Sequence, residues 1–252
     1  MSETLSTYLD VIDLIPQLYD EEEENYPVVS PQKIRNVIGR NDFQIKSQLK
    51  NYYGADLTST PRLTQPTPKR GYTALGQLLL TDGTNDVSVT NSISVKTQVY
   101  RILFTSPTVF EVTSDLTGAQ GTGSTSLSFT TTDTFLTIPN ECWSGSFETE
   151  DSWYIAVYNY EGMLSHLSSL LAAVYILNTI YTEEVPDASA TASKYEQIYN
   201  KLIRALQKGT IFLEKDLSSR NLDPIQIDYE IDNHGNDVTN YTDDEWNRRS
   251  II

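Results

Sequence analysis

The sequence predicts an α+β chain: a bundle of three helices, interrupted by a large antiparallel β-sandwich or barrel and followed by an extended C-terminal arm. Three observations lead there. Leu164–Tyr181 places Leu164, Leu167, Leu171, Val174, Leu177 or Asn178, and Tyr181 at steps of three and four, the period of one helical face. Ser30–Tyr53 and Ala192–Leu213 carry the same period. Between the first and second of these helices, residues 71–158 change to short β-branched and aromatic runs punctuated by Gly, Asn and Asp. The helical part is expected over 1–54 and 159–221, the inserted linker and β-region over 55–158, and the arm over 222–252.

Taken in order, Tyr8, Leu9, Val11, Ile12 and Leu14 predict one or two helical turns ending near Pro16. Glu21, Glu22, Glu23 and Glu24 form a run of like charge that reads as a solvated loop. The first long helix has Ser30 to cap it, Pro31 at its first position and Gly54 as its stop. Ile34, Ile38, Ile45, Leu49 and Tyr52 mark its apolar face, and Asn41 and Asp42 weaken its middle. The Pro- and Thr-rich stretch from Ala55 to Arg70 is a linker or extended arm.

Strands are expected at Val87–Val89, Ser92–Val95, Gln98–Thr105, Val109–Ser114, Ser126–Thr130 and Trp153–Tyr158, a spacing that suits a sandwich or barrel. Gly118–Gly123 lies between two of them and reads as a hairpin loop. Leu164–Tyr181 is apolar over most of its circumference, so it is the buried central helix; Ser and His interrupt it too often for a bilayer span. In the last helix Tyr195, Ile198 or Tyr199, Leu202, Leu206 and Leu213 line one face, and Gly209 either permits close packing or begins termination. Beyond Leu222, Ile225–Ile231 alternates like a short strand, and the remainder is polar and acidic until Trp246.

The 252 residues carry 34 Asp+Glu against 18 Lys+Arg, a net charge of −16. Lys69-Arg70 and Arg248-Arg249 are too few for a free-standing nucleic-acid binder, which must replace many phosphate counterions. A like-charged surface suits solubility, or a wall that DNA passes without sticking. The single cysteine, Cys142, leaves no internal disulfide and fits a reducing compartment. The opening MSETLSTYLD has neither basic nor apolar leader regions, so no signal peptide is expected.

Little in the chain carries chemistry. His166 and His234 are far apart, and Cys142 has no histidine partner in view. The Asx clusters at 82–86 and 232–237 do not follow calcium-loop spacing. No catalytic residue, cofactor or metal site is expected. Tyr52, Tyr53, Tyr175, Tyr181, Tyr195 and Tyr199 are either interface anchors or half-buried core.

Three blocks carry a resemblance: the opening Tyr8-Leu9-Asp10-Val11 with SPQKIRNVIGRNDFQIKSQLKNYYG, then YEGMLSHLSSLLAAVYILNTIY, then KYEQIYNKLIRALQKGTIFL. In order and spacing they resemble the head–tail connector, or adaptor, proteins of tailed bacteriophages. The departure is the insertion at 55–158, where simple members carry a short loop. The resemblance implies a virion protein assembled in the host cytoplasm, forming a ring of twelve subunits beneath the portal protein. Such a ring extends the DNA channel and offers a platform to tail or neck proteins. It implies genomic DNA passing without specific binding, no membrane and no enzyme activity.

Two sets of residues are candidates for contacts in such a ring. Ile225, Ile227, Tyr229, Trp246, Arg248, Arg249, Ile251 and Ile252 are candidates for docking the arm on the portal, because Trp and Arg favour binding hot spots and an alternating segment can add a strand to a sheet. Glu21–Glu24 is the candidate acidic wall of the channel. The alternative functions are another tail- or neck-completion protein or a receptor-facing β-protein with the helices as anchor, and a carbohydrate-binding module using Trp143 and Trp153.

Overall fold

The computed structural model describes residues 3–18, 29–54, 56–69, 75–81, 86–90, 94–179 and 188–213. In chain order these form α1 (Tyr8–Leu14), α2 (Pro31–Tyr53), the strands β1 (Thr58–Leu63), β2 (Thr67–Pro68), β3 (Gln77–Leu78), β4 (Ser88–Val89), β5 (Gln98–Ser106), β6 (Val109–Ser114), β7 (Gly118–Ser124), β8 (Phe129–Thr130), β9 (Leu136–Ile138), β10 (Trp143–Ser144) and β11 (Ser152–Tyr160), then α3 (Gly162–Thr179) and α4 (Ala188–Lys208). The chain is α+β, with antiparallel sheets.

Helix boundaries follow their caps. Thr7 and Asp10 close a capping box at the start of α1. Ser30 accepts the Lys33 N–H at the start of α2, Pro31 takes the first position, and Gly54 at φ 83° ends the helix in a conformation glycine adopts without steric cost. The last helix differs from the sequence expectation: α4 starts at Ala188 and stops at Lys208, short of Leu213. Gly209 at φ 67° is its terminator, with the Gly209 and Thr210 N–H groups turned back onto Leu206 and Ala205 carbonyls.

The main sheet runs β1-β11-β5-β6-β7, with β2 also pairing to β11. Two small sheets, β4-β9-β8 and β3-β10, accompany it. The path ends at β1 and β7, so the expected barrel is not closed; the sheet is open. The Pro/Thr stretch expected as a linker instead supplies β1 and β2, which extend along β11. Gly118–Gly123, expected as a loop, lies in β7, held to β6 through the backbone despite poor strand propensity. Glycine has a packing role there. A Cβ on Gly123 would lie 2.5 Å from the Phe110 ring and 2.8 Å from the Phe129 ring, so its absence lets that edge-to-face pair lie on the strand.

Strand alternation divides the interior. Tyr100, Ile102 and Phe104 of β5 point one way, into a core with Phe110, Val112, Leu136, Ile138, Trp153 and Ile155. Val99, Ala156 and Tyr158 point the other way and join Val11 and Ile12 of α1, Ile34 and Ile38 of α2, and Ala172, Ala173 and Ile176 of α3. Covered on both faces and paired on both edges, β11 reads SWYIAVYNY, a nearly continuous apolar run. A third core joins Ile45 and Leu49 of α2, Leu164, Leu167 and Leu170 of α3, and Tyr199, Ile203 and Leu206 of α4. The described helices and sheets belong to one compact unit, Met1–Lys215.

α3 is long and apolar enough to cross a bilayer by composition alone. Here Leu164, Leu167, Leu170, Ala173, Ile176 and Leu177 are instead buried against the other helices and the sheet.

Candidate functional site

Among the described residues, no group of three or more His, Cys, Asp and Glu side chains converges to hold a metal ion. His166 is exposed on α3, and Cys142 is buried at the end of a 3-10 turn. Trp153 is core, while Trp143 is half-buried, edge-on to Phe104 and Phe147 at 5.5 Å. The polar groups of greatest consequence are buried inside and tie the elements together.

The first such group holds the N-terminal segment. Thr4, Leu5, Ser6 and Thr7 are all buried, laid against α2 and α3. Asp42, in the middle of α2 and 2% exposed, accepts the Leu5 N–H at 2.7 Å and the Ser168 hydroxyl at 2.5 Å. With its proton given to ionised Asp42, Ser168 accepts from Ser6 at 2.8 Å. Ser165 donates to the Leu5 carbonyl at 2.8 Å. The serines that interrupt an apolar helix in the sequence are thus the sockets for this strap. The signal for Asp42 was its register, four after Ile38 and three before Ile45, which puts a carboxylate on the apolar face.

Burial pushes the Asp42 carboxyl up to about 6 from an ordinary 3.8, against the lowering effect of its hydrogen bonds from Ser168 and Leu5. The folded state therefore binds a proton that the unfolded state has released over the window between these values. Stability from this group is present below pH 3.8 and is lost as pH rises through 6, by roughly 3 kcal/mol in all. Urea unfolding at pH 5 and pH 7 should show greater stability at pH 5, and Asp42→Asn should flatten that difference; equal slopes in both proteins would exclude Asp42 as its source.

A second group joins helix to sheet. Arg35 of α2, 4% exposed, donates to Asp115 at 2.6 Å and to the Thr97 carbonyl at 2.8 Å. Asp115 in turn accepts the Val99 N–H at 2.8 Å. A third is at α1, where Asp10 accepts the Tyr158 hydroxyl at 2.6 Å as well as the Thr7 N–H.

The tyrosines divide between bracing and exposure. Tyr53 donates to the Leu206 carbonyl, Tyr195 to the Leu14 carbonyl and Tyr199 to Gln48. Tyr52 and Tyr175 are exposed, and Tyr181 lies outside the described residues. So do Glu21, Glu22, Glu23 and Glu24, and the arm candidates Ile225, Ile227, Tyr229, Trp246, Arg248, Arg249, Ile251 and Ile252.

Two surface features went unnoticed in the sequence. On α2, Phe43 is 78% exposed among basic residues. At the far end of β5, a hollow of about 350 Å³ is lined by Pro107, Thr108, Thr125, Trp143, Gly145, Ser146 and Phe147. Neither leaves a trace in apolar periodicity, because Phe43 falls off the buried face and the hollow is assembled from three separate stretches.

No protein-family model matches this chain, and no curated protein matches it in sequence. Among solved structures, two crystal forms of Xanthomonas campestris FlgL align over 66% of this chain and 59% of theirs, so the match spans less than two thirds of that protein. Identity is 16% and 18%, with TM-scores of 0.27 and 0.28, too low to bear on fold or function.

Proposed function

We propose that this chain is a structural ring protein of the head–tail junction of a tailed bacteriophage, not an enzyme. In this reading it attaches to the portal, extends the DNA channel and offers a platform to tail or neck proteins. The observation that supports it is the organisation of the helical part. A short N-terminal helix, a long helix ending in Tyr52-Tyr53-Gly54, an apolar central helix and a last helix follow in the connector order, and residues of the three long ones share one core across an insertion of about a hundred residues. That shared core supports reading the helices as an adaptor-like three-helix bundle, with 55–158 as its insertion. The polar groups inside it serve as ties between elements, which suits a scaffold.

In the ring, for which the family resemblance implies twelve subunits, the acidic excess lines the DNA path, with Glu21–Glu24 as one part of it. Genomic DNA then passes without specific binding. Negative-stain microscopy of the protein mixed with its portal should show closed rings seated on the portal. Portal particles that remain bare at excess protein would refute the reading.

A further inference from the structure

Charge is segregated along this chain. α2 and α4 together carry nine Lys and Arg against two Asp and Glu, in a protein with 18 against 34. Conversely, residues 102–193 contain no Lys or Arg at all. On α2, Arg35 is turned inward to Asp115, and Lys46 lies over the Tyr160 ring. Lys33, Arg40 and Lys50 remain, exposed and without an ion pair to another described residue. With Phe43 they sit at steps of seven, three and seven, a single stripe running about 25 Å along the outer face. Phe43, 78% exposed, thus lies within a cationic stripe of an anionic protein, and aromatic residues and Arg are the types enriched at protein–protein interfaces.

The complementary surface is the hollow beyond β5. Trp143 and Phe147 form its aromatic wall. The exposed Glu141, Glu148 and Glu150 flank those two residues in the chain, within the stretch devoid of cations. The two surfaces cannot meet within one molecule. Arg35 anchors α2 to the Thr97 carbonyl just before β5, whereas Pro107 and Thr108 follow its other end, about 30 Å away along nine extended residues.

We propose that the outer face of α2 docks head-to-tail on the hollow of a second copy of this chain, with Phe43 seated against Trp143 and Arg40 and Lys50 facing Glu148 and Glu150. Such a contact is heterologous: each copy offers one α2 stripe and one hollow, so copies close into a ring or extend as a filament. This deepens the ring reading and rests on it only for closure. Nucleic acid is the weaker occupant, since three cations spread over the stripe replace few phosphate counterions.

The test uses the full chain and two variants, Arg40→Gln/Lys50→Gln and Glu148→Gln/Glu150→Gln, followed by sedimentation velocity over a concentration series. Wild type should self-associate, more weakly at high salt. Each variant alone should associate at least about tenfold more weakly. Mixed in equal amounts, the two should form dimers and go no further, because only one intact stripe and one intact hollow remain per pair. Phe43→Ser should weaken association similarly with circular dichroism unchanged. Wild type that stays monomeric, variants that associate as wild type, or a mixture that stays monomeric would each overturn the contact; the last covers an intramolecular or nucleic-acid occupant of the stripe. Rings on the portal that survive in all three variants would overturn this contact and leave the ring reading intact, whereas dimers in the mixture with a bare portal would do the reverse.

Discussion

Arg35→Met is expected to cost the fold about 3–5 kcal/mol, a large share of a domain's usual stability. The reason is what it leaves behind. Asp115 is 13% exposed and loses the guanidinium that neutralises it, and the Thr97 carbonyl loses its donor. The Asp115 carboxyl is already raised by burial, with Arg35 the chief influence lowering it, so losing Arg35 pushes it higher still. The ion pair itself is no large net gain; breaking one half is the damaging event. Arg35→Met/Asp115→Asn should therefore recover much of the loss, since Asn keeps an acceptor for the Val99 N–H. Urea unfolding of the two variants and wild type measures this directly. A double variant as unstable as the single one would mean that the damage is to packing. The same experiment probes whether helices and sheet unfold together, because Arg35 belongs to α2 and its partners to the β5 and β6 ends.

What the sequence disclosed, and what it hid, follows from the range of the interactions involved. Ser30, Pro31 and Gly54 act on their own helix, and α2 begins and ends where they place it. Val109–Ser114 alternates strictly because one face of β6 is buried and the other wet, and its ends were legible to the residue. β7 was hidden because its cause lies elsewhere: Gly123 is there for the rings of Phe110 and Phe129, which no local pattern records. β1 and β2 were hidden by Pro61 and Pro68, which lower strand propensity but are tolerated where a strand pairs over only part of its length. Ser165 and Ser168 looked like interruptions of an apolar helix, because their partners, Leu5 and Asp42, come from more than a hundred residues away. Phe43 was passed over for the opposite reason: it fits no buried period, and only its 78% exposure gives it meaning.

On the proposed head–tail reading, truncation after Leu222 is expected to leave the remaining chain folded and to weaken portal binding by well over tenfold. The third core closes with Leu206 and Leu213, the latter 4% exposed, so the helical part has its apolar contacts in place before the arm begins. Residues 232–245 contain Asp232, Asp237, Asp243, Asp244 and Glu245 and too few apolar residues to build a core of their own. The end differs in kind: Trp246, Arg248, Arg249, Ile251 and Ile252 crowd into seven positions, and Trp and Arg dominate binding hot spots. Ile225, Ile227 and Tyr229 alternate with polar residues, the pattern by which an added strand sends one side into a partner while its backbone bonds to a sheet edge. Loss of one or two anchors costs about 2 kcal/mol or more each, which is the source of the expected factor. Circular dichroism and urea unfolding check that the truncated chain keeps its fold; titration against the portal at equal salt reads the affinity. Equal affinity for the full and truncated chains would show that the arm serves solubility alone and would return portal attachment to the helical part.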